Sequence, residues 1–507
     1  MFAQKILANE LIDILAAPSY SPEILSYVNK ISDAVVLKDF LIKKPKLGVT
    51  GTIAKDYVSR ETPEAIPYIS TKQVSGLYAY IEDAKFISKS ADIEWEKCRV
   101  NDGDIVINKS GNVGAAAIVK ASPYRYVNSV SDIISIEINE SLIDKEYLVI
   151  YLNSPYGQKQ LQRLSGGAIF DHVSLHAIPN IKIYSASILA QKYIGDKVRQ
   201  AELLRNLSKE INEKINNAIT SENFAHVMQT EEKIYGSAVI SDLTNRLDPK
   251  YYASKAIAAE RFAKSEGVKL KNLTHDISNG FEERNFVQQG QIYLTVSEVS
   301  SGRMEVKSAP KISFDVDVPS KAIINQRCVL VVRTGSIGTA VKVHALDSKA
   351  VISSHLIRLE FKEESIAAAV AIFLNSSVGK ILLHKISYGA VQPQIGQDEL
   401  LNLHIPHYIL DIKDKLLELL NQYEMMFRYS QILIQTSKLL VEALIESVIT
   451  EKELIQAKNA LEQGDTSLDR AILSQMNEDG YAVTGSKPLF SDLDEFYDLL
   501  EQAKALE

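Results

Sequence analysis

The sequence predicts an α+β chain made of two copies of one mixed domain of short strands and few helices. Each copy runs into a long helix, and the two helices pair antiparallel as a coiled coil with pseudo-twofold symmetry. Motif recurrence is the first observation. Tyr68-Ile69-Ser70 returns as Tyr293-Leu294-Thr295, Gly76 as Gly302, Gly111-x-x-Gly114 as Gly335-x-x-Gly338, Leu152-Asn153-Ser154 with Gly157 as Leu374-Asn375-Ser376 with Gly379, Gly167-Ala168 as Gly389-Ala390, and Ile178-Pro179 as Ile405-Pro406. The order never breaks, and the offset of about 225 residues is far too long for a solenoid repeat. A change of hydrophobic period after each Ile-Pro pair is the second observation, and an acidic stretch after the second helix, with no counterpart after the first, is the third.

Along the chain, residues 1 to about 45 read as short helices around Pro18-Ser19-Tyr20-Ser21-Pro22. From Leu47 to Asn180 short apolar runs separated by Gly, Asn and Asp predict strands at 65–70, 104–107 and 115–119, with one helix near Lys145 to Leu152. The second copy, Leu270 to His407, repeats this at 291–294, 328–332 and 339–343. Ile194, Ala201, Ser208 and Ile215 then alternate with Leu204, Ile211 and Ala218 in a heptad seam, which predicts a helix over 187–219. Ile412, Leu416, Leu419, Tyr423, Met426, Ser430, Leu433, Ser437, Leu440 and Leu444 do the same over 412–449. Thirty-odd helical residues make a rod of roughly 45 to 55 Å, longer than the roughly 34 Å of one DNA turn.

The 507 residues carry 56 basic and 64 acidic side chains, a net charge of -8. The sign is local: Glu451 to Glu507 holds thirteen acidic and five basic residues, so everything before it is neutral. A neutral body binds nucleic acid weakly unless partners add phosphate attraction. Acidic residues close to the start argue against a signal peptide, and no apolar run has membrane-span length, so the expectation is a cytoplasmic protein. Cys98 and Cys328 occupy related places before apolar runs and are expected to be buried hydrophobes. The histidines lack metal-ligand spacing, so neither metal nor cofactor is expected. Apolar residues scattered through Glu451 to Glu507, densest in Leu489 to Leu500, fit a short helix that docks on a basic patch of a partner or of this chain, as an assembly element, rather than a solvating tail.

Two loop constellations carry the candidate chemistry. Lys109-Ser110-Gly111-x-x-Gly114 and Arg333-Thr334-Gly335-x-x-Gly338 each join two strands. Glycines let backbone approach a phosphate while a cation and a hydroxyl supply contacts, although the same pattern also describes a plain hairpin turn. No Gly-Lys-Ser/Thr follows, so neither is a Walker loop. Phe170-Asp171-His172 after Gly166-Gly167-Ala168, and Gln392-Pro393-Gln394 after Tyr388-Gly389-Ala390, occupy matching loops of different content. That is the expected place for different base readout, with Gln suited to adenine. Asn153-Ser154-Pro155-Tyr156 is one residue from the Asn-Pro-Pro-Tyr of amino-methyltransferases. Its counterpart Asn375-Ser376-Ser377-Val378 has lost the Pro and the aromatic residue, and no Gly-rich cofactor loop exists, so a structural role is read instead.

The pattern resembles the specificity subunit of type I restriction-modification systems. Tyr68-Ile69-Ser70, Asn101-Asp102-Gly103-Asp104-Ile105-Val106, Tyr151-Leu152-Asn153-Ser154, and Ile178-Pro179 leading into Gln191 to Gln200 carry the resemblance. Arg246-Leu247-Asp248-Pro249-Lys250-Tyr251-Tyr252, Tyr388-Gly389-Ala390 and Ile405-Pro406 carry it in the second half. The resemblance implies a first target recognition domain with its N-terminal helical segment (1–185), a conserved helix (186–225), a second recognition domain (226–407) and a second helix (408–450), followed here by an acidic helical tail (451–507). It implies a non-catalytic subunit without cofactor that reads a bipartite target on double-stranded DNA. Two adenine-N6 methyltransferase subunits would dock on the helices, which set the unread spacer, and cleavage would belong to a motor-nuclease subunit. The acidic tail and longer N-terminal segment depart from the usual pattern and point to a related phage-defence system. Expected DNA contacts are Lys72, Lys109, Ser110, Gly111, Gly114 and His172 in the first half. In the second they are Arg303, Arg333, Thr334, Gly335, Gly338, Tyr388, Gln392 and Gln394. The competing readings are an interaction scaffold without its own DNA readout and a self-contained methyltransferase or nuclease. The latter would need a cofactor loop or an acidic metal cluster.

Overall fold

A computed structural model describes the chain apart from residues 1–5, 7–10, 13, 15, 33, 52, 167–171, 232–238, 241, 242, 245, 247, 390, 391, 506 and 507. It divides into two compact units, residues 1–205 with 427–507 and residues 206–426. Each unit therefore holds part of both long helices.

In unit 1, β1 (Ile66–Ile69), β2 (Ile105–Asn108), β3 (Ala116–Lys120), β4 (Tyr126–Ser129) and β5 (Ile133–Ile136) make the heart of the domain. β4 runs parallel to β1 with Asn128 opposite Tyr68, while β2 lies antiparallel between β3 and β5. Unit 2 repeats this with β6 (Gln291–Leu294), β7 (Cys328–Val332), β8 (Ala340–Lys342), β9 (Val351–Ile352) and β10 (Leu356–Phe361). β6 pairs parallel with β9, Tyr293 opposite Val351, and β7 lies antiparallel between β8 and β10. Ile105 to Ile107 of β2 and all of β7 are apolar without alternation because both faces are covered, and every residue of Cys328–Val332 is fully buried.

The repeated motifs are repeated bonds. Ser70 donates through N–H and hydroxyl to Gln73 at 2.9 Å, and Thr295 does so to Glu298 at 2.8 and 2.7 Å, closing the same turn. The Asn153 amide clasps the Ala116 backbone, accepting from its N–H at 3.3 Å and donating to its carbonyl at 2.7 Å; Asn375 does the same at Ala340. Ser154 and Ser376 each end one helix and cap the next, accepting from Gly157 and Gly379. A side chain on either glycine would run into a backbone carbonyl of the preceding helix. The structural reading of Asn153-Ser154 is thereby confirmed.

One helix was expected here and there are two, α1 (Lys145–Asn153) and α2 (Pro155–Arg163). Pro155 occupies the first turn, where its missing N–H costs nothing, so it starts a helix rather than ending the helical region. The Ile-Pro alignment also shifts. Ile183 pairs with Val35 and Ile405 with Val268, so the counterpart of Ile405 is Ile183, while Ile178 sits in a single 3-10 turn. Cys328 is buried in β7, but Cys98 is half-buried in a 3-10 turn, so the two cysteines are not equivalent in place.

The long helices are α3 (Ile188–Ile219) and, after α4 (Glu364–Asn375) and α5 (Ser377–Ile386), α6 (Lys413–Ile445). They pack together: within unit 2 the Ser208 hydroxyl donates to the Tyr423 carbonyl at 3.2 Å. Unit 1 combines the first part of α3 with the last part of α6, and unit 2 the converse, as an antiparallel pair requires. Sliding the seam by 222 residues pairs Ile194 with Leu416, Leu204 with Met426, Ser208 with Ser430 and Ile211 with Leu433, and all eight are buried. α6 stops short of residue 449 because Ser447 adopts φ 58°, after which Thr450 opens a new helix with a full capping box to Glu453. The C-terminal segment is folded as α7 (Glu451–Glu462), α8 (Ser467–Ser474) and α9 (Leu493–Lys504), with Leu473, Met476, Phe496 and Leu500 in its core. Among the described residues no single helix is long and apolar enough to cross a membrane; the bent pair α4 and α5 is apolar enough, but its residues from Ala367 to Leu374 are buried in unit 2.

Candidate nucleic-acid interface

Each Gly-x-x-Gly turn is a left-handed structure: φ is 73° and 82° at Gly111 and Gly114, and 79° and 95° at Gly335 and Gly338. Gly114 faces Leu161 of α2, and Gly338 faces His384 of α5, whose Nε2 lies 3.0 Å from where a Cβ would stand. Glycine is needed for backbone conformation at all four places and for space at the second of each pair.

The divergent loop closes onto the same turn in both units. In unit 1 the Val173 N–H donates to the Lys109 carbonyl at 3.1 Å, and the strand pair Gly166 with His172 forms the loop's base. In unit 2 the Ile395 N–H donates to the Arg333 carbonyl at 2.9 Å, and Tyr388 and Gln394 exchange backbone bonds of 2.9 and 2.8 Å. His172 and Gln394 are therefore equivalent positions, each one residue before the bond that ties its loop to the cation-bearing turn. The loop tip residues Gly167, Ala168, Phe170 and Asp171, and Ala390, lie outside the described residues.

The structure thus brings Lys109, Ser110, Gly111, Gly114 and His172 together in unit 1. Lys72 joins them: it is exposed in the turn after β1, and Asn108, immediately before Lys109, donates its amide to the carbonyls of Thr71 and Val74 at 3.3 and 3.2 Å. In unit 2 Arg333, Thr334, Gly335, Gly338, Tyr388 and Gln394 share one edge, with exposed Gln392 in the same loop. Arg303 is placed elsewhere. Its Nε donates to the Tyr423 hydroxyl at 2.6 Å and its guanidinium lies 4.7 Å over that ring, so it braces α6.

Four contributors escaped the sequence reading. The Ser110 hydroxyl donates to Asp132 at 2.8 Å, whereas the Thr334 hydroxyl meets His355 Nδ1 at 2.8 Å. A hydroxyl has one proton, so Ser110 spends its donor on a carboxylate, while Thr334 can accept from the imidazole and keep its proton for a ligand. Arg246 donates to the carbonyls of Ile386 and Ser387 at 2.9 and 2.6 Å, pinning the residues just before Tyr388, while the Asp248 carboxylate holds its other edge. Burial pushes the His384 imidazole below its ordinary pKa, and Lys250 and Lys380 push the same way, so the Gly338 turn rests on a neutral ring among cations. The only sequence signal for any of these was Arg246-x-Asp248. Asp132, His355 and His384 lie far from the turns in sequence and become neighbours only through strand pairing and helix docking. Among the described residues no group of acidic, His or Cys side chains could hold a metal ion.

Residues 39–221 match the family model described as the type I restriction modification DNA specificity domain, so the resemblance read from the sequence holds over that stretch. No curated protein matches the chain. The chain is similar to the type I restriction-modification system S subunit from M. genitalium, with 12% identity, a TM-score of 0.36, and 84% of this chain and 95% of that one covered. It is also similar to the HsdS subunit from Thermoanaerobacter tengcongensis, with 14% identity, a TM-score of 0.26, and coverage of 81% and 95%.

Proposed function

We propose that this chain, whose residues 39–221 match the type I restriction modification DNA specificity domain, is the sequence-reading and assembly subunit of a type I or type I-like restriction-modification complex that acts in phage defence. Residues 1–185 and 226–407 would each read one half of a bipartite target on double-stranded DNA. The helices of 186–225 and 408–450 would set the spacing and dock two adenine-N6 methyltransferase subunits. Catalysis of methylation, and any cleavage by a motor-nuclease, would belong to partners. The observation that carries this reading is the doubled turn and loop, in which one backbone bond joins a basic glycine turn to a loop that is constant in position and different in content. Backbone contact and base contact are separable tasks, and this arrangement supports assigning the turns to phosphate and the loops to base edges.

Within this reading Lys109 and Arg333 are phosphate anchors, and His172, Gln392 and Gln394 read bases. Lys72 and Tyr388 flank them. The test has two arms. Methylated adenines are mapped in a host with and without the system, and the purified chain, with and without methyltransferase subunits, is titrated against the recovered site by mobility shift. Methylation at a bipartite motif and binding that depends on both halves are expected. Partner binding without any DNA preference would instead establish an interaction scaffold.

A further inference from the structure

Among the described residues the C-terminal segment has no counterpart in the duplication, and it covers one copy of a duplicated surface. Asp469 of α8 is 1% exposed and receives Lys197 of α3 at 2.6 and 2.8 Å, Tyr193 of α3 at 2.6 Å, and the Tyr497 hydroxyl of α9. Lys197 is itself fully buried. Around this core, Lys458 of α7 pairs with Asp196 at 3.0 Å. The Tyr429 hydroxyl of α6 donates to the Asp492 carbonyl and the Glu495 carboxylate at 2.8 and 2.9 Å, while its ring meets Phe490 and Phe496. All of these residues belong to unit 1.

The seam register gives the corresponding positions in unit 2. Lys415 stands for Tyr193, Leu419 for Lys197 and Leu207 for Tyr429, so that face offers no buried cation to a carboxylate. Lys415 is exposed and Leu419 only half-buried there. A buried ion pair costs desolvation and contributes little net stability, yet removing one partner strands the other as a buried charge; such pairs are best attested as devices that fix one arrangement or permit a switch. Burial raises the Asp469 carboxyl, but Lys197 and the two tyrosines outweigh it and hold the group below its ordinary range.

We propose that residues 451–507 form a latch over the α3 and α6 face of unit 1, so that the latched chain takes up one helix-binding methyltransferase subunit, on the unit 2 face, and a second only when the latch opens. The inference rests on the reading that these subunits dock on the long helices. Asp469→Ala leaves Lys197 buried and alone, and opens the latch. Lys197→Met with Asp469→Leu replaces the pair by apolar contact and keeps it shut, which separates latch opening from general misfolding.

The experiment uses the full chain, the single variant and the double variant, each with the methyltransferase subunit of the same host. Complex mass is read by light scattering and protection of 451–507 by hydrogen exchange. One subunit per chain is expected for the full chain and the double variant, with the segment protected. Two are expected for Asp469→Ala, with protection of the segment lost and that of β2 and β7 retained. Two subunits on the full chain with the segment still protected would overturn the inference alone. Failure of every form to bind the subunit would overturn the docking reading itself and the inference with it.

Discussion

The turns after Lys109 and Arg333 share a backbone and differ in almost every side chain behind it. Both have glycines at positive φ, both give up their cation's carbonyl to the divergent loop, and both sit on a helix capped by an equivalent serine, Ser154 or Ser376. Behind the first stand Asp132 and Gln158, the latter donating to the Gly114 carbonyl at 3.0 Å; behind the second stand His355 and His384. Duplication has kept the bonds that hold the frame and released the side chains packed behind it. A site on such a frame is altered by changing side chains, and broken by changing glycines.

The largest expected effect is therefore on the frame. Gly157→Ala and Gly379→Ala force a Cβ into a helix backbone in each unit, and overpacking of this kind costs about 1 to 3 kcal/mol. Each should lower the denaturant midpoint by a similar amount, measured by circular dichroism. A large loss for one and none for the other would show that the frames are not equivalent.

Next come the loops. His172→Ala and Gln394→Ala should each relax base preference at one half-site only, by about 1 to 3 kcal/mol for a lost base contact, with the salt dependence of binding unchanged. Competition mobility shifts with single-base variants of each half-site measure this. If either change weakened binding to all sequences equally, the loop would be acting as backbone contact.

Lys109→Ala and Arg333→Ala should do the reverse. Each removes about one phosphate contact, so the slope of log affinity against log salt should fall by about 0.9 with base preference intact. A changed preference with an unchanged slope would exchange the roles of turn and loop.

Much of this comparison was legible in the sequence, because the frame is built from residues with few substitutes. Glycines at positive φ, serines that cap a helix and asparagines that clasp a strand must recur if the fold recurs, so the doubled motifs marked the strands, the long helices and the two turns. The seam of small and apolar residues likewise gave α3 to within a residue. What failed was local or distant. Pro155 reads as a break but begins a helix, and Ile178-Pro179 imitates Ile405-Pro406 without sharing its strand pairing. Asp132 and His355 were invisible because their meaning lies in what β5 and β10 bring beside the turns, and the hold of Arg303 on Tyr423 was invisible because nothing in its sequence neighbours announces it. The acidic segment advertised a docking helix on a partner or on this chain, but could not choose between them or point to α3 and α6, since Lys197 and Asp469 are 272 residues apart.

The smallest effect tests the inequality of the two turns most directly. Asp132 accepts the Ser110 proton and adds a negative charge beside the place assigned to a phosphate, while the Thr334 hydroxyl keeps its proton for a ligand whenever His355 Nδ1 is the donor. Asp132→Asn removes that charge and keeps a side chain that can bond to Ser110, so the half-site that the proposal assigns to unit 1 should bind more tightly. The gain should be about 0.2 to 1 kcal/mol, the range of a partly exposed charge interaction, and it should shrink as salt rises. Thr334→Val should weaken the other half-site by a comparable amount, since it removes the hydroxyl that donates to a ligand when His355 Nδ1 holds the proton of their shared bond. Fluorescence anisotropy on duplexes carrying one intact half-site reads both changes. Weaker binding by Asp132→Asn would mean that the carboxylate orients the turn rather than opposing the phosphate, and the first turn would then be the better organised of the two.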